Sequence, residues 1–569
     1  MKKIVLSIAC FCCIQISVAQ VPNHHWTHAS DGGALAKGYC IASDANGNVY
    51  TAGIFGSTSD FDPSAGVSNL TSHGSDDIYI VKTTPDGNFV WARNLGGSSA
   101  DIPNELVIDL SGNIYLTGIF AGTADFDPEA GVSNLVSTGG DDVFATKLTA
   151  NGQLVWAKSF GGSGDDIGYA IEIDDYDSTV FIIGNYTGTA DLNPGAATAT
   201  VTSNGSSDIF MVKLSNTGDY ITSKTIGGTG MDRGRDLVID VATGDQFLTG
   251  SFGNTVDFDP GAGVVELIGG SQDIFVLKLD VSNNFTWAKR MGGIAVDEGR
   301  NIDFDANGFI YVNGSFISTC NFDPNGGTTN VTSNGSDDVF VVQLTPAGAL
   351  SWVKTFGSIG TEDFMDMDVT SFGDIYVTGE MADDMDANPD AVITFDLTKV
   401  GAEDAYIVSL ASDGNFNWAT SYGANSVSAY TRGFGVFADE QFNVYTTGSF
   451  QNSVDFNPSA AVNTLNAVAG SDSWYQKLGP GFNGVEEALE SGGFQISPNP
   501  SSGKSILSTE NPMNNAEITV TDASGKQVLI TKGVSGMLLE IDFSPLEKGI
   551  YFLEIVQNNT HEQVKFVKE

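Results

Sequence analysis

Basic residues are scarce in this chain. Its 569 residues include 25 Lys+Arg against 70 Asp+Glu, for a formal net charge of −45. Binding to nucleic acid requires a basic face, so this balance weighs against it. The same reasoning weighs against an anionic membrane surface. The acidity either keeps an exported chain soluble or favours cations and basic surfaces. Cysteine is nearly absent, at five residues, and Cys10, Cys12 and Cys13 fall in the N-terminal leader. Cys40 and Cys320 remain, at different positions of the repeat described below. No disulfide is expected between them, so packing must hold the fold. Helical periodicity is missing over any three turns. No stretch reaches the roughly 18 apolar residues of a membrane helix.

What is abundant is glycine, at 68 residues, much of it at regular positions between apolar runs. That placement indicates turns. Gly112-Asn113-Ile114-Tyr115-Leu116-Thr117-Gly118 recurs in related form at Gly47-Asn48-Val49-Tyr50 and Gly373-Asp374-Ile375-Tyr376. An Asp-x-Asp/Asn-Pro element begins at Asp60, Asp125, Asp191, Asp257, Asn321, Asp386 and Asp455, 64 to 69 residues apart. Self-similarity at a fixed period marks a repeat architecture.

Each unit reads as four strands. In the second unit they are Glu105–Asp109, Asn113–Phe120, Asp142–Leu148 and Gln153–Lys158. An excursion over 121–140 separates the middle pair. β-Branched and aromatic residues fill the strands, and Asn-Gly or Asp-Gly marks the turns. Such units are the blades of a β-propeller. The fourth-strand position holds Trp91, Trp156, Thr222, Trp287, Trp352 and Trp418. The last unit stops after its third strand. Asn23-His24-His25-Trp26 matches only a fourth strand, with Trp26 in the place of Trp156. The expected architecture is therefore all-β: a closed seven-bladed propeller of four strands per blade. The N-terminal strand completes the last blade and removes the exposed edges of the array. Thr222 predicts the weakest outer strand.

The termini follow other patterns. Lys2 and Lys3, an apolar run from Ile4 to about Ile14, and Ser17-Val18-Ala19 before Gln20 read as a secretory signal peptide. Ser7-Ile8-Ala9 before Cys10 makes a poor lipidation signal. Beyond Pro480 the repeat ends. The expected division is 1–19 signal peptide, 20–480 propeller, 481–492 linker and 493–569 a small β-sandwich. The last segment carries a net charge of −3 and the signal +2, leaving −44 on the repeats and linker.

Four groups of residues could carry chemistry. The complete Asp-x-Asp pairs, Asp60/Asp62, Asp125/Asp127 and Asp257/Asp259, are calcium candidates, since Ca²⁺ takes six to eight oxygens. In the alternative reading, Asp caps a turn and Pro stiffens it. Turns such as Asp44-Ala45-Asn46-Gly47-Asn48 resemble pieces of a calcium loop but join adjacent strands. His24, His25 and His28 are either metal ligands or members of the closing strand. The third-strand lysine (Lys82, Lys147, Lys213, Lys278, Lys477) suits a structural ion pair. No nucleophile elbow, phosphate loop or Cys-x-x-Cys is present.

Two resemblances rest on these residues. Gly161-Gly162 with Asp165 and Asp166, Ile171-Glu172-Ile173-Asp174, the Gly-Asn-x-Tyr-x-x-Gly core and Asp-x-Phe-x-x-Lys-Leu resemble the SBBP-type bacterial β-propeller repeat. That family has no shared catalytic site. The second runs through Pro498-Asn499-Pro500, Gly525-Lys526, Gly549-Ile550-Tyr551 and Lys568. It resembles the type A C-terminal sorting domain of the type IX secretion system. The resemblance implies the type IX machinery as partner and a secreted or surface-held product, with the signal and sorting segments processed. The reading is a monomeric binding scaffold for glycan or protein, with no catalysis of its own and no cofactor beyond the calcium candidates. An exported polysaccharide-degrading enzyme and a structural surface-layer protein are the alternatives.

Overall fold

A computed structural model of the chain describes residues 22–33, 35–174, 177–390, 392–468, 470–480, 494–497, 504–522, 526–544, 546, 549–557 and 560–568. The signal peptide, the linker, Pro498, Asn499, Pro500 and Gly525 lie outside them. No helix occurs among the described residues. The chain divides into two compact units, Met1–Phe482 and Asn483–Glu569.

One four-strand antiparallel meander recurs through the first unit. In the second repeat its strands are Asp101–Ile108, Ile114–Phe120, Asp142–Leu148 and Leu154–Gly162. The first strand pairs with the second, the second with the third and the third with the fourth. The third strand coincides with the sequence expectation. The first begins four residues early because a bulge between Pro103 and Glu105 lets it continue through Asn104. The fourth runs on to Gly162, where it meets the next repeat.

The excursion is itself a ribbon, which strand-length patterning did not reveal. Thr123–Asp125 pairs with Asn134–Val136, and the ribbon also pairs with Gly96 and Gly97 of the preceding repeat. Equivalent contacts join Gly161 to Asp191 and Gly292 to Asn321. Each excursion thus straps one repeat to the outer strand of its predecessor. The first ribbon reaches back to Asp31, just after the N-terminal strand.

That N-terminal strand, Asn23–Ala29, pairs with Asp472–Gly479, and Trp26 lies opposite Lys477 as Trp156 lies opposite Lys147. Trp26 Nε1 donates to Pro85 O in the first repeat at 3.1 Å, as Trp156 Nε1 donates to Asn216 O in the third at 2.9 Å. One apolar cluster holds Phe55 and Tyr79 of the first repeat with Tyr445 and Tyr475 of the last, and Trp26 packs on it. Burial of such rings stabilises by roughly 25 cal/mol per Å². Trp156 and Trp418 are each 8% exposed, whereas Trp26, Trp91, Trp287 and Trp352 are only half-buried. Most outer-strand tryptophans therefore contribute less than full burial would give. Cys40 and Cys320 are buried free thiols.

In the second unit the described strands form one connected antiparallel sheet rather than two separate ones. Lys504–Asp522 pairs with Phe494–Ser497, Gln527–Asp542 and Gly549–Gln557, and the last of these pairs with Thr560–Lys568. Bulges interrupt the two longest strands, so the hydrogen-bond ladder bends around a core of Leu507, Ile518, Phe543 and Leu553. Tyr551 and Lys568 are buried, and Lys526 is exposed.

Candidate functional site

The bulge in the first strand positions the site. It recurs after Gly38, Pro103, Gly168, Gly234, Gly299, Phe364 and Gly433. The second glycine of Gly-Asn-x-Tyr-x-x-Gly permits it. A Cβ at Gly118 would sit 2.0 Å from Ile102 O, and one at Gly250 1.9 Å from Arg233 O. Only glycine allows that approach.

The extra residue at each bulge is Tyr39, Asn104, Tyr169, Arg235, Arg300, Met365 or Phe434. All seven line one cavity of about 560 Å³, and every first strand contributes to its wall. Elsewhere the repeats are near copies. Here they present two arginines, three aromatic rings, an amide and a thioether. The chain has six arginines, and Arg233, Arg235, Arg300 and Arg432 all lie on these first strands.

Three of the four arginines meet one carboxylate. Glu298 lies 2.9 Å from Arg233, 3.4 Å from Arg235 and 3.9 Å from Arg300. Glu298 is thus the shared acid of three guanidinium groups in an otherwise acidic protein. The guanidinium of Arg235 also lies 4.4 Å from the ring centre of Tyr169. Its Nε is buried with no hydrogen-bond partner among the described residues. Tyr39 and Phe434 pack with ring centres 5.2 Å apart.

Further along the same strands the wall is acidic, with Glu105, Glu172, Asp236, Asp303, Asp366 and Asp368. Five of these satisfy backbone N–H groups on the next first strand. Ile171 N donates to Glu105, Ile302 N to Asp236 (2.8 Å), Val369 N to Asp303 (2.9 Å), and Val436 and Ala438 N to Asp366 and Asp368 (both 2.8 Å). They cap strand edges that have no further strand to pair with. Burial pushes Asp236, Asp303 and Asp366 up to about 7, and their mutual repulsion adds to it. Glu105 and Asp368 rise well above the usual carboxylate range for the same two reasons.

The sequence candidates sit away from this cavity. Asp125 Oδ1 accepts from Asp127 N (3.0 Å) and Ser133 N (2.7 Å). Asp60 binds Asp62 N and Ser68 N, and Asp257 binds Asp259 N and Val265 N, in the same way. Asn321 does the same with Asp323 N and Thr329 N, so the geometry needs an acceptor oxygen rather than a charge. Asp62, Asp127 and Asp259 each accept from the N–H two residues on. The residue between the aspartates is a core ring: Phe126 meets Phe120 edge-on at 5.8 Å. No group of three or more His, Cys, Asp or Glu that could hold a metal occurs among the described residues. Asp44 caps its own hairpin through Asn46 N and Asn48 N. His24 lies within 2.9 Å of Asn463 Nδ2, and His28 stacks on Trp26 at 5.2 Å.

The third-strand lysines pair as expected where an acid is near: Lys278 with Asp245 at 2.7 Å and Lys213 with Asp177 at 3.2 Å. They also lie over the second-strand ring, as Lys147 does over Tyr115 at 4.8 Å. Sequence reading missed the cavity ring itself. The available signal was the residue after the first-strand glycine, which changes from repeat to repeat: Gly38-Tyr39, Gly168-Tyr169, Gly234-Arg235, Gly299-Arg300 and Gly433-Phe434.

Two family models match the chain. Residues 495–569 match the secretion system C-terminal sorting domain, and residues 90–118 match the beta-propeller repeat. The chain carries a type IX sorting domain and a β-propeller repeat. The sorting domain indicates export to the cell surface or beyond, through the type IX machinery. No helix among the described residues is long and apolar enough to cross a membrane. An uncharacterized WD repeat-containing protein of Acanthamoeba polyphaga mimivirus is 21% identical over 73% of this chain. The match spans 35% of that relative's length, about a third. The crystal structure of an ACO/RPE65 chimera is 10% identical, covers 80% of this chain and 94% of its own, and has a TM-score of 0.32.

Proposed function

We propose that residues 20–480 form a closed seven-bladed propeller that acts, after export, as a non-catalytic binding scaffold for glycan or protein. Its first and last sheets close through the N-terminal strand, and the cavity is its axial channel. Support for closure comes from the pairing of Asn23–Ala29 with Asp472–Gly479, the Trp26–Pro85 hydrogen bond and the shared cluster around Tyr79 and Tyr475. Residues 1–19 act as its signal peptide, and 493–569 direct it to the secretion machinery. The product is a monomer.

One observation carries the binding reading: a frame built of similar repeats brings seven bulge residues of four chemical kinds, cationic, aromatic, amide and thioether, to one cavity. Packing alone asks for similar residues at equivalent positions, whereas a specific ligand asks for different ones. Polysaccharide cleavage is the second reading, because raised carboxyl groups in a cavity suit general acid work. Against it, Glu105, Asp236, Asp303, Asp366 and Asp368 are each held by a neighbouring strand's N–H. Glycan and protein arrays probed with the mature chain, with and without EDTA, test both. Retention without new reducing ends favours the scaffold; new reducing ends favour the enzyme. Loss of retention in EDTA would bring calcium back into the site.

A further inference from the structure

We propose that Lys147 and Asn216 join in an isopeptide bond, a covalent cross-link that the chain makes by itself between its second and third repeats, with Tyr115 relaying the proton. It stands apart from whatever the cavity holds.

The pair differs from its equivalents. The third-strand position reaches the last hairpin turn of the following repeat: Lys82 Nζ donates to Ala150 O at 3.2 Å, and Gln343 Nε2 to Ser412 O at 3.0 Å. Lys82, Lys213 and Lys278 also meet an acid, in Asp44, Asp177 and Asp245. Lys147 forms no ion pair among the described residues, and its Nζ donates instead to Asn216 Oδ1. The places of Asn216 in the other turns hold Pro85, Ala150, Val281, Pro346 and Ser412. Of these turns, that of Asn216 alone sets a side-chain amide against an amine.

The surroundings suit acyl transfer. Lys147 is 6% exposed, and burial lowers the pKa of its amine, with Asp109 opposing the shift. A desolvated lysine is more readily the neutral nucleophile. Tyr115 OH lies 3.1 Å from Asn216 Oδ1 and 3.2 Å from Asp109 Oδ2. Its single proton serves one of them at a time, which makes it a relay between carboxyl group and amide. A donor at the amide oxygen stabilises the charge that develops there on attack. Trp156 Nε1 fixes the turn by donating to Asn216 O at 2.9 Å, and a pair held in place gains the rate of an intramolecular reaction.

The step needs no co-reactant. The ammonium of Lys147 gives up a proton to become the amine. Nζ then bonds to Cγ of Asn216, and the Cγ–Nδ2 bond breaks. Nδ2 leaves as ammonium, carrying the two protons that Nζ sheds. Asn216 is exposed, which gives that ion a way out.

Peptide mass spectrometry of the mature protein tests this. A tryptic digest should hold one branched peptide joining Lys147 to Asn216, with no cut after Lys147, and the intact chain should be lighter by one ammonia. An N-terminal Gln20 and the Asn151-Gly152 turn can shed ammonia as well, so the branch itself is the deciding readout. Lys147→Met and Asn216→Ala should each abolish it, and Tyr115→Phe should lose most of it. Linear peptides for both residues in the wild-type chain would overturn the inference, whether or not any variant folds. A branch at Asn216 that survives Lys147→Met would overturn the assignment of the lysine, and full branching in Tyr115→Phe would overturn the relay.

Discussion

Trp156 lies flat against Gly218: a Cβ at position 218 would sit 2.9 Å from Cδ2 of the indole. The same close approach joins Trp26 to Gly87, Trp91 to Gly152, Trp287 to Gly348 and Trp352 to Gly414. The outer-strand tryptophan of one repeat thus demands glycine in a turn of the next. Where the tryptophan is replaced by Thr222, the equivalent turn residue is Asn283, with φ of 60°. The two departures from the repeat pattern are one compensated change.

A double-mutant cycle tests this. Thr222→Trp alone should gain nothing or cost about 1 kcal/mol, because Asn283 carries the Cβ that glycine lacks. Thr222→Trp with Asn283→Gly should raise stability by about 1–2 kcal/mol, the value of a half-buried indole. Urea unfolding supplies both numbers, and simple additivity would dismiss the coupling.

Trp26→Ala should destabilise the first unit by about 2–3 kcal/mol, below the full-burial figure because the ring is half-exposed. It removes the hydrogen bond to Pro85 and the stack on His28. Trp156→Ala, at a buried position with its own bond to Asn216, should cost about 3–5 kcal/mol. An equal melting temperature for wild type and both variants would contradict the packing described.

The aspartate straps separate charge from acceptor. Asp125→Asn keeps an oxygen for Asp127 N and Ser133 N and should change stability by no more than about 0.5 kcal/mol. Asp125→Ala leaves both donors unsatisfied and should cost about 1–2 kcal/mol. If Asn proves as damaging as Ala, and only when calcium is supplied, the element holds a metal after all.

Stability should fall as pH rises. Asp101, Asp236, Asp297, Asp303 and Asp366 are pushed up to about 7, chiefly by burial, from an ordinary value near 3.8. The folded state therefore holds more protons than the unfolded chain between about pH 4 and 7. Their favourable contribution is full below pH 4 and disappears as pH climbs through 7. Melting should be higher at pH 5 than at pH 8, and Asp236→Asn should flatten the slope. A melting temperature that rises over this range would show the sign to be wrong.

The repeat, its strand order and the use of the N-terminal strand were readable because each leaves a periodic trace: Trp at one offset, Asp-Phe-Asp-Pro at another. The ribbon over 121–140 was not, because three-residue strands such as Thr123–Asp125 show no alternation to detect. The cavity ring was hidden for the opposite reason. Its residues differ from repeat to repeat, so a search for likeness passes over Arg235 and Arg300. The carboxylates of the wall looked like ordinary acidity until their backbone partners, some 66 to 70 positions away, were placed.

Asn23 Nδ2 bonds to Pro480 O across 457 positions of sequence. The strand that carries Asn23 is made first, yet its partner Asp472–Gly479 is nearly the last part of the unit to be made. Until then both edges remain bare and open to mispairing. Contacts of such long sequence separation carry the largest loop-closure entropy, so this pairing cannot form until nearly the whole unit has been made.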